Sequence, residues 1–345
     1  MPSVEATLES VIAAHLAEWE SPFVDQAIYG VAEPTAIADA LRALCRRELA
    51  VEIAAPLFYQ ASIGAVAGLL LRDGRRIVVK AHQPEVSRAR LEELGKLQRH
   101  LAAGGLYATQ LLTGPVLLGS GLATIEAFDA RGEPRDGHEP VVRRALANAL
   151  HQLVTALEPF VEASALPPLL LESTAPGALW PTPHSKLFDF QATRTGAEDI
   201  DALATLARGR MTGVGRVVLG HGDWRVEHVR FEGDVVAVAY DWDSLCKGTE
   251  PALVGFTAKA FCADWSRSNY ASAPTLDEAR AFVADYEQAR GVSFDPDERA
   301  ACAAAFAYSV AYTSRCTHAL GRDDRQTPGT FQHLLAHHGA TLLNL

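Results

Sequence analysis

The stretch His221-Gly222-Asp223-Trp224-Arg225-Val226-Glu227-His228, followed by Tyr240-Asp241-Trp242-Asp243, decides how the rest of the chain is read. An apolar run, Arg216-Val217-Val218-Leu219-Gly220, leads into the first acid, and a second run, Asp234 to Tyr240, leads into the other. Asp223 and Asp241 lie 18 residues apart, on either side of a turn signal at Glu232-Gly233-Asp234. A hairpin turning there brings both carboxylates to one end of a two-stranded ribbon. Phosphoryl transfer needs such a layout: one carboxylate orients or deprotonates a hydroxyl while another holds a divalent cation on the phosphates.

Upstream of the motif, residues 3–19 and 34–48 read as amphipathic helices. Short strands follow: Ile53 to Tyr59, then Val66 to Leu71 and Arg76 to Ala81 around the Asp73-Gly74 turn. Residues 85–103 form a helix with Leu91, Leu94, Leu97 and Leu101 on one face. Val116 to Leu118 and Ala123 to Phe128 are further strand candidates. The Gly-, Pro- and charge-rich segment Asp129 to Pro140 marks a boundary, giving units 1–128 and 129–345. Helix resumes over 141–159, and prolines at 167, 168, 176, 181 and 183 mark 160–198 as a loop-rich insert. Residues 199–209 are helical, and 252–345 are mostly helix, strongest over 277–290 and 297–320. Strands followed by helices, joined by one linker, predict an α+β chain in two lobes.

Composition excludes several classes. At 345 residues the chain can fill two cores, and 48% apolar with 21% charged residues is ordinary for a globular protein. A net charge of −11 with no basic stripe argues against a nucleic-acid partner and suits a cationic small molecule. Five scattered cysteines without Cys-x-x-Cys spacing favour reduced thiols and a cytoplasmic location. Met1 to Glu20 has no basic start or long apolar core of a signal peptide, and no segment reaches the roughly 20 apolar residues of a membrane span.

His-Gly-Asp-x-x-x-x-His followed by Asp-x-Asp resembles the catalytic and metal segments of the aminoglycoside phosphotransferase family, small-molecule kinases of protein-kinase-like fold. The resemblance covers most of 50–260 and is strong at 221–243. It implies a small β-rich N-lobe, a larger helical C-lobe, and ATP or GTP with Mg²⁺ as cofactors. It makes Asp223 the catalytic base and Asp241 the metal ligand, with Asp243 assisting if the segment is extended. Arg225, two residues after the base, would neutralise the transferring phosphoryl group or pair with Glu227 on the surface. The family has Asn where this chain has His228, which is then a metal ligand, a brace for Asp223, or a substitution in an inactive relative. His221 holds the loop.

The same plan makes Lys80 the phosphate-binding lysine. Its partner is Glu93, with Glu92 as substitute, on the next helix. A lone strand Lys otherwise reads as an exposed edge residue. Ser62 and Gly64 open a glycine-containing turn placed to cover phosphates, a pattern ordinary hairpins share. Ile125-Glu126-Ala127-Phe128 would be the hinge, with Glu126 and Phe128 offering backbone groups to a purine. For the acceptor, Trp180, His184, Asp189, Glu250, Asp264, Trp265 and Tyr270 are the candidates, acids beside aromatics suiting an aminosugar or other amine. Two other readings compete: a catalytically impaired kinase-like nucleotide-binding protein, and a phosphate-handling hydrolase that uses Asp223 and Asp241 as a bare metal pair.

Overall fold

The computed structural model describes residues 7–18, 22–211 and 213–345. The chain divides into two compact units, Met1–Ala130 and Arg131–Leu345. The first holds a five-stranded antiparallel sheet and the second is mostly helical, which is the protein-kinase-like architecture.

In the first unit, α1 (Leu8–Leu16), α2 (Phe23–Tyr29) and α3 (Pro34–Leu49) precede the sheet. Residues 3–6 and 19 of the helix expected at the start lie outside the described residues. α2, seven residues long, is too short for a periodic signal and went unforeseen. The sheet consists of β1 (Ile53–Ala61), β2 (Ala65–Leu71), β3 (Arg76–His82), β4 (Leu111–Leu118) and β5 (Gly121–Ala127), in the order β1-β2-β3-β5-β4. Ile12, Ile28, Ile37, Leu41 and Leu44 from the helices pack with Tyr59, Leu69, Ile77, Val79 and Ile125 from the strands in one buried cluster. β3 is therefore a central strand, paired on both edges. α4 (Arg88–Ala103), capped by the Ser87 side chain, buries Leu91, Leu94, Leu97 and Leu101, the predicted stripe.

The second unit begins with α5 (Pro140–Leu157). The stretch after it has only short 3₁₀ turns, at Glu158–Phe160 and Leu170–Glu172, before α6 (Glu198–Arg208). Prolines explain this irregularity, since each removes a backbone donor. Then come β6 (Val217–His221), β7 (Val229–Glu232), β8 (Val235–Ala239) and β9 (Leu245–Thr249). β7 and β8 form the expected hairpin, turning at Gly233 with φ +60°. β6 pairs with β9, a strand that sequence reading did not identify. Helices α7 (Glu250–Ala260), α8 (Leu276–Arg290), α9 (Pro296–Ala319) and α10 (Phe331–His338) complete the unit. α9 is Ala-rich and buried on nearly every side, so small side chains let α6, α7 and α10 approach it closely.

Candidate active site

The site in the second unit is organised by a buried imidazole. His221, at the end of β6, has no exposed surface. Its Nε2–H donates to the Tyr240 carbonyl at 3.0 Å, and its Nδ1 accepts from the Asp223 N–H at 3.1 Å. A carbonyl only accepts and an amide N–H only donates, so these partners define one neutral tautomer. Burial holds the His221 pKa below the ordinary histidine value. The ring is thus a strut between the two motif segments, with Trp224 and Trp242 edge-on against it at 5.5 and 5.6 Å. Gly222 lets the loop pass close to β9: its N–H donates to the Ser244 carbonyl at 2.8 Å, and a Cβ would stand 3.1 Å from that oxygen.

Asp223 and Asp241 meet at the open end of the β7–β8 ribbon, as the spacing requires. Ligand atoms of Asp223, His228 and Asp241 all lie within 4.8 Å of one another. The Asp223 carboxylate is paired by Arg225 Nη1, and its side chain remains 33% exposed. Burial pushes the Asp223 carboxyl up, but the Arg225 guanidinium, with His228 and His221, outweighs that and holds it below the usual range. Asp223 is therefore a carboxylate at neutral pH, able to accept a proton. Asp241 sits in the left-handed region, φ +63° and ψ +41°, and accepts from Ser244 Oγ at 2.7 Å.

Arg225 is shared. Its Nε donates to Glu227 Oε2 at 2.9 Å, its Nη2 lies 2.9 Å from His228 Nε2, and its guanidinium lies 4.4 Å from the Trp265 ring centre. His228 Nδ1 faces the Asp223 carbonyl oxygen at 3.1 Å. These contacts make His228 the Nδ1–H tautomer, with Nε2 accepting from Arg225. The Asp223 Oδ2 atom is 3.7 Å from that Nδ1, too far for a direct bond. The brace therefore acts on the Asp223 main chain and on Arg225. Metal ligation by the imidazole would displace one of these two contacts. Asp243 requires a correction. Trp242–Ser244 is a 3₁₀ turn, not an extended segment, so the two-residue spacing does not set Asp243 on the side of Asp241, and Asp243 is not in the three-residue cluster.

The first unit carries the nucleotide candidates. Lys80 lies on central β3 opposite Val66 and Thr124 and is 8% exposed, so the edge-decoration reading fails. On α4, Glu93 is half-buried and Glu92 exposed. Ser62 and Gly64 form the β1–β2 turn, closed by the Ser62 N–H to the Gly64 carbonyl at 3.0 Å. A Cβ on Gly64 would stand 2.7 Å from the Ala81 carbonyl oxygen, so packing alone already accounts for this glycine. Glu126 is buried and accepts from Thr109 Oγ1 at 2.7 Å. The Phe128 N–H donates to the Arg76 carbonyl at 2.9 Å, and Arg76 covers the Phe128 ring at 4.1 Å. Both positions are thus bound into the sheet.

Most of the acceptor candidates have structural work. Glu250, with no exposed surface, accepts from Arg216 Nε and Nη2 at 2.8 and 2.9 Å and from the Tyr286 hydroxyl at 2.8 Å, and it pairs with Arg290 at 3.2 Å. Asp189 accepts from the Gln191 and Ala192 N–H groups, and Asp264 from the Ser266 N–H and hydroxyl. The Tyr270 hydroxyl donates to Asp136, and Trp180 Nε1 donates to Asp201. His184 Nδ1 lies 2.9 Å from the Tyr312 hydroxyl. Of the seven, Trp265 contacts the motif, through the Arg225 guanidinium and by its main-chain N–H to Glu227 Oε2 at 3.4 Å. Sequence reading passed over Lys259, which is buried in α7; its signal was a lone charge in the apolar run Pro251 to Ala263.

Comparison with known proteins supports the fold alone. No family model matches the sequence, and no curated protein matches it. Solved structures do. A macrolide 2'-phosphotransferase from Brachybacterium faecium is 17% identical with a TM-score of 0.52, covering 89% of this chain and 98% of that one. An amicoumacin kinase, solved in complex with AMP-PNP, Ca²⁺ and Ami, is 10% identical with a TM-score of 0.54, covering 85% of this chain and 88% of that one. A type I macrolide 2'-phosphotransferase is 16% identical with a TM-score of 0.50, covering 88% and 96%. The neighbours are varied members of the protein-kinase-like superfamily rather than one aminoglycoside family. No helix among the described residues is long and apolar enough to cross a membrane.

Proposed function

We propose that the chain is a nucleotide- and Mg²⁺-dependent O-phosphotransferase acting on a hydroxyl of a small molecule. The observation that carries this reading is the convergence of Asp223, His228 and Asp241 at one ribbon end, on a kinase-like fold. Two carboxylates suit a divalent cation, and the His228 imidazole beside them, held between the Asp223 carbonyl and Arg225, braces the site. Such an ion, when bound, would neutralise charge on the nucleotide phosphates. In this reading Asp223 accepts the hydroxyl proton, Arg225 orients Asp223, and Asp241 supplies the main metal-binding oxygen. Lys80 binds phosphate, with Glu93 as its partner, and Ser62 and Gly64 cover the phosphates. The nucleotide is ATP or GTP, and the setting is cytoplasmic. An aminoglycoside or amino sugar was the expected acceptor, yet the acids offered for an amine, Asp189, Glu250 and Asp264, are already engaged inside the unit.

The impaired-kinase alternative has one observation in its favour: the base carboxylate is held by Arg225 rather than open. Thermal-shift measurement with ATP or GTP, with and without Mg²⁺, tests both readings, followed by turnover on a panel of hydroxyl acceptors. A Mg²⁺-dependent shift with turnover supports the transferase. A shift without turnover on any acceptor supports the binding protein, and no shift at all removes both.

A further inference from the structure

Lys259 projects from α7 in a run that is otherwise apolar, and it is 6% exposed. Its Nζ donates to Thr313 Oγ1 at 3.2 Å and stands 5.1 Å from the Phe256 ring centre and 5.2 Å from that of Phe331. An ammonium has three donors, and this contact uses one. Among the described residues no carboxylate forms an ion pair with it. Burial lowers the Lys259 pKa to about 8, against the opposing field of Asp223, so it is mainly charged at neutral pH. A buried charge without a partner opposes folding, and a chain that needed only packing would place Met or Leu there.

The surroundings place this ammonium next to the chemistry. Phe331, which it faces, lies 6.4 Å from Trp265 between ring centres. Trp265, half exposed, carries the guanidinium of Arg225, which pairs with Asp223. On the other side Thr313 adjoins Tyr312, whose hydroxyl meets His184. A chain of ring and cation contacts thus links Lys259 through Phe331, Trp265 and Arg225 to the proposed base, all within the second unit, and the Asp223 charge acts on Lys259.

We propose that Lys259 is a specificity-determining residue of the acceptor site, binding a carboxylate on the molecule whose hydroxyl faces Asp223. This rests on the phosphotransferase reading and names its substrate class as a hydroxy acid. A neutral hydroxyl would leave the buried charge uncompensated. An ammonium on the acceptor would add like-charge repulsion. A carboxylate accepts the two remaining donors and cancels the charge. The expectation of a cationic acceptor is therefore reversed.

Gluconate, glucose and glucosamine are carbon-matched probes carrying a carboxylate, no charge and an amine. Affinity for a non-hydrolysable ATP analogue with Mg²⁺ is measured first, and each probe is then titrated calorimetrically into the full chain with that nucleotide. Gluconate should bind more tightly than the other two. Lys259→Met should weaken gluconate binding by about tenfold or more, the loss of a charge-assisted hydrogen bond, while the unliganded Tm holds or rises and nucleotide affinity holds. Glucosamine binding as well as gluconate, no gluconate binding, or undiminished gluconate binding in Lys259→Met would each overturn the proposal. If the variant does not fold, the ranking of the three probes on the natural chain still decides. Failure of the phosphotransferase reading itself would show separately, as absent Mg²⁺-nucleotide binding in the first measurement.

Discussion

At the scale of the residue, Asp223 carries the sharpest expectation. Its carboxyl is held ionised by Arg225, so Asp223→Asn removes a ready proton acceptor while keeping shape. Turnover should fall by roughly two to four decades, the range for a positioned acid–base group, with nucleotide affinity within a few-fold. Steady-state kinetics and calorimetry on the variant check both halves. His228 is different. With Nδ1 on the Asp223 carbonyl and Nε2 on Arg225, the ring is committed to bracing. His228→Asn should therefore lower turnover but leave the ratio of Mn²⁺- to Mg²⁺-supported activity unchanged; a ratio that swings toward Mg²⁺ would instead make the imidazole a ligand. Lys80 is buried on a central strand. Lys80→Met should weaken Mg²⁺-nucleotide binding, measured by calorimetry, and a variant with normal nucleotide affinity would return Lys80 to a structural role. The Asp223 and Asp241 positions were legible because each follows an apolar strand, and Lys80 because a lone charge follows Ile77-Val78-Val79; the strand itself runs on to His82. Asp243 was misread because a two-residue spacing predicts a shared face only in extended chain, and the left-handed Asp241 starts a 3₁₀ turn instead.

At the scale of the element, the ribbon β7–β8 was legible from alternation and from its glycine turn, both local signals. The pairing of β6 with β9 was not. It joins segments separated by a whole hairpin, and the five residues of β9, Leu245 to Thr249, contain no alternation strong enough to announce a strand. Glu250, the first residue of α7, shows how this pair is secured. Its carboxylate receives Arg216, just before β6, together with Arg290 and Tyr286 of α8. The same charge read as acceptor-binding from sequence because composition gives no hint of partners 34 and 36 residues away. Glu250→Ala leaves the buried Tyr286 hydroxyl without its acceptor and two guanidinium groups without their shared anion. It should cost about 3 kcal/mol in denaturant unfolding. A loss below about 1 kcal/mol would mean that solvent already satisfies the partly exposed Arg216.

At the scale of the whole molecule, two-part organisation and α+β class followed from the order of strand-like and helix-like segments, and the solved structures of similar fold agree. Stability should also carry a pH signature from one tertiary pair. His138 Nδ1 meets Glu278 Oε1 at 2.9 Å, and its Nε2 donates to the Ala271 carbonyl at 2.8 Å. Contacts with Cys262 and Glu278 raise His138 from 6.5 to about 11. For Glu278, burial pushes the carboxyl up, but the His138 bond and the Thr275 N–H outweigh it and lower it from 4.5 to about 2. A raised histidine stabilises fully below its unfolded value of 6.5 and loses that contribution as pH climbs toward 11. A lowered carboxylate stabilises fully above 4.5 and loses it as pH falls toward 2. The pair's contribution therefore peaks between 4.5 and 6.5. Melting curves from pH 6 to 9 should show the natural chain losing Tm relative to His138→Leu as the medium becomes alkaline. Parallel curves would show that the imidazole is not charged in the folded chain.

The left-handed backbone at Asp241 has an evolutionary consequence. Glycine occupies that region freely, and a residue with a Cβ does so at a cost on the order of 1 kcal/mol. A library of this gene selected for heat resistance alone should therefore accumulate Gly at 241 early, and those winners should be the ones that no longer bind Mg²⁺-nucleotide. Engineers hardening this scaffold would need to fix position 241 in advance, because the substitution that relaxes the backbone there also removes the proposed metal ligand.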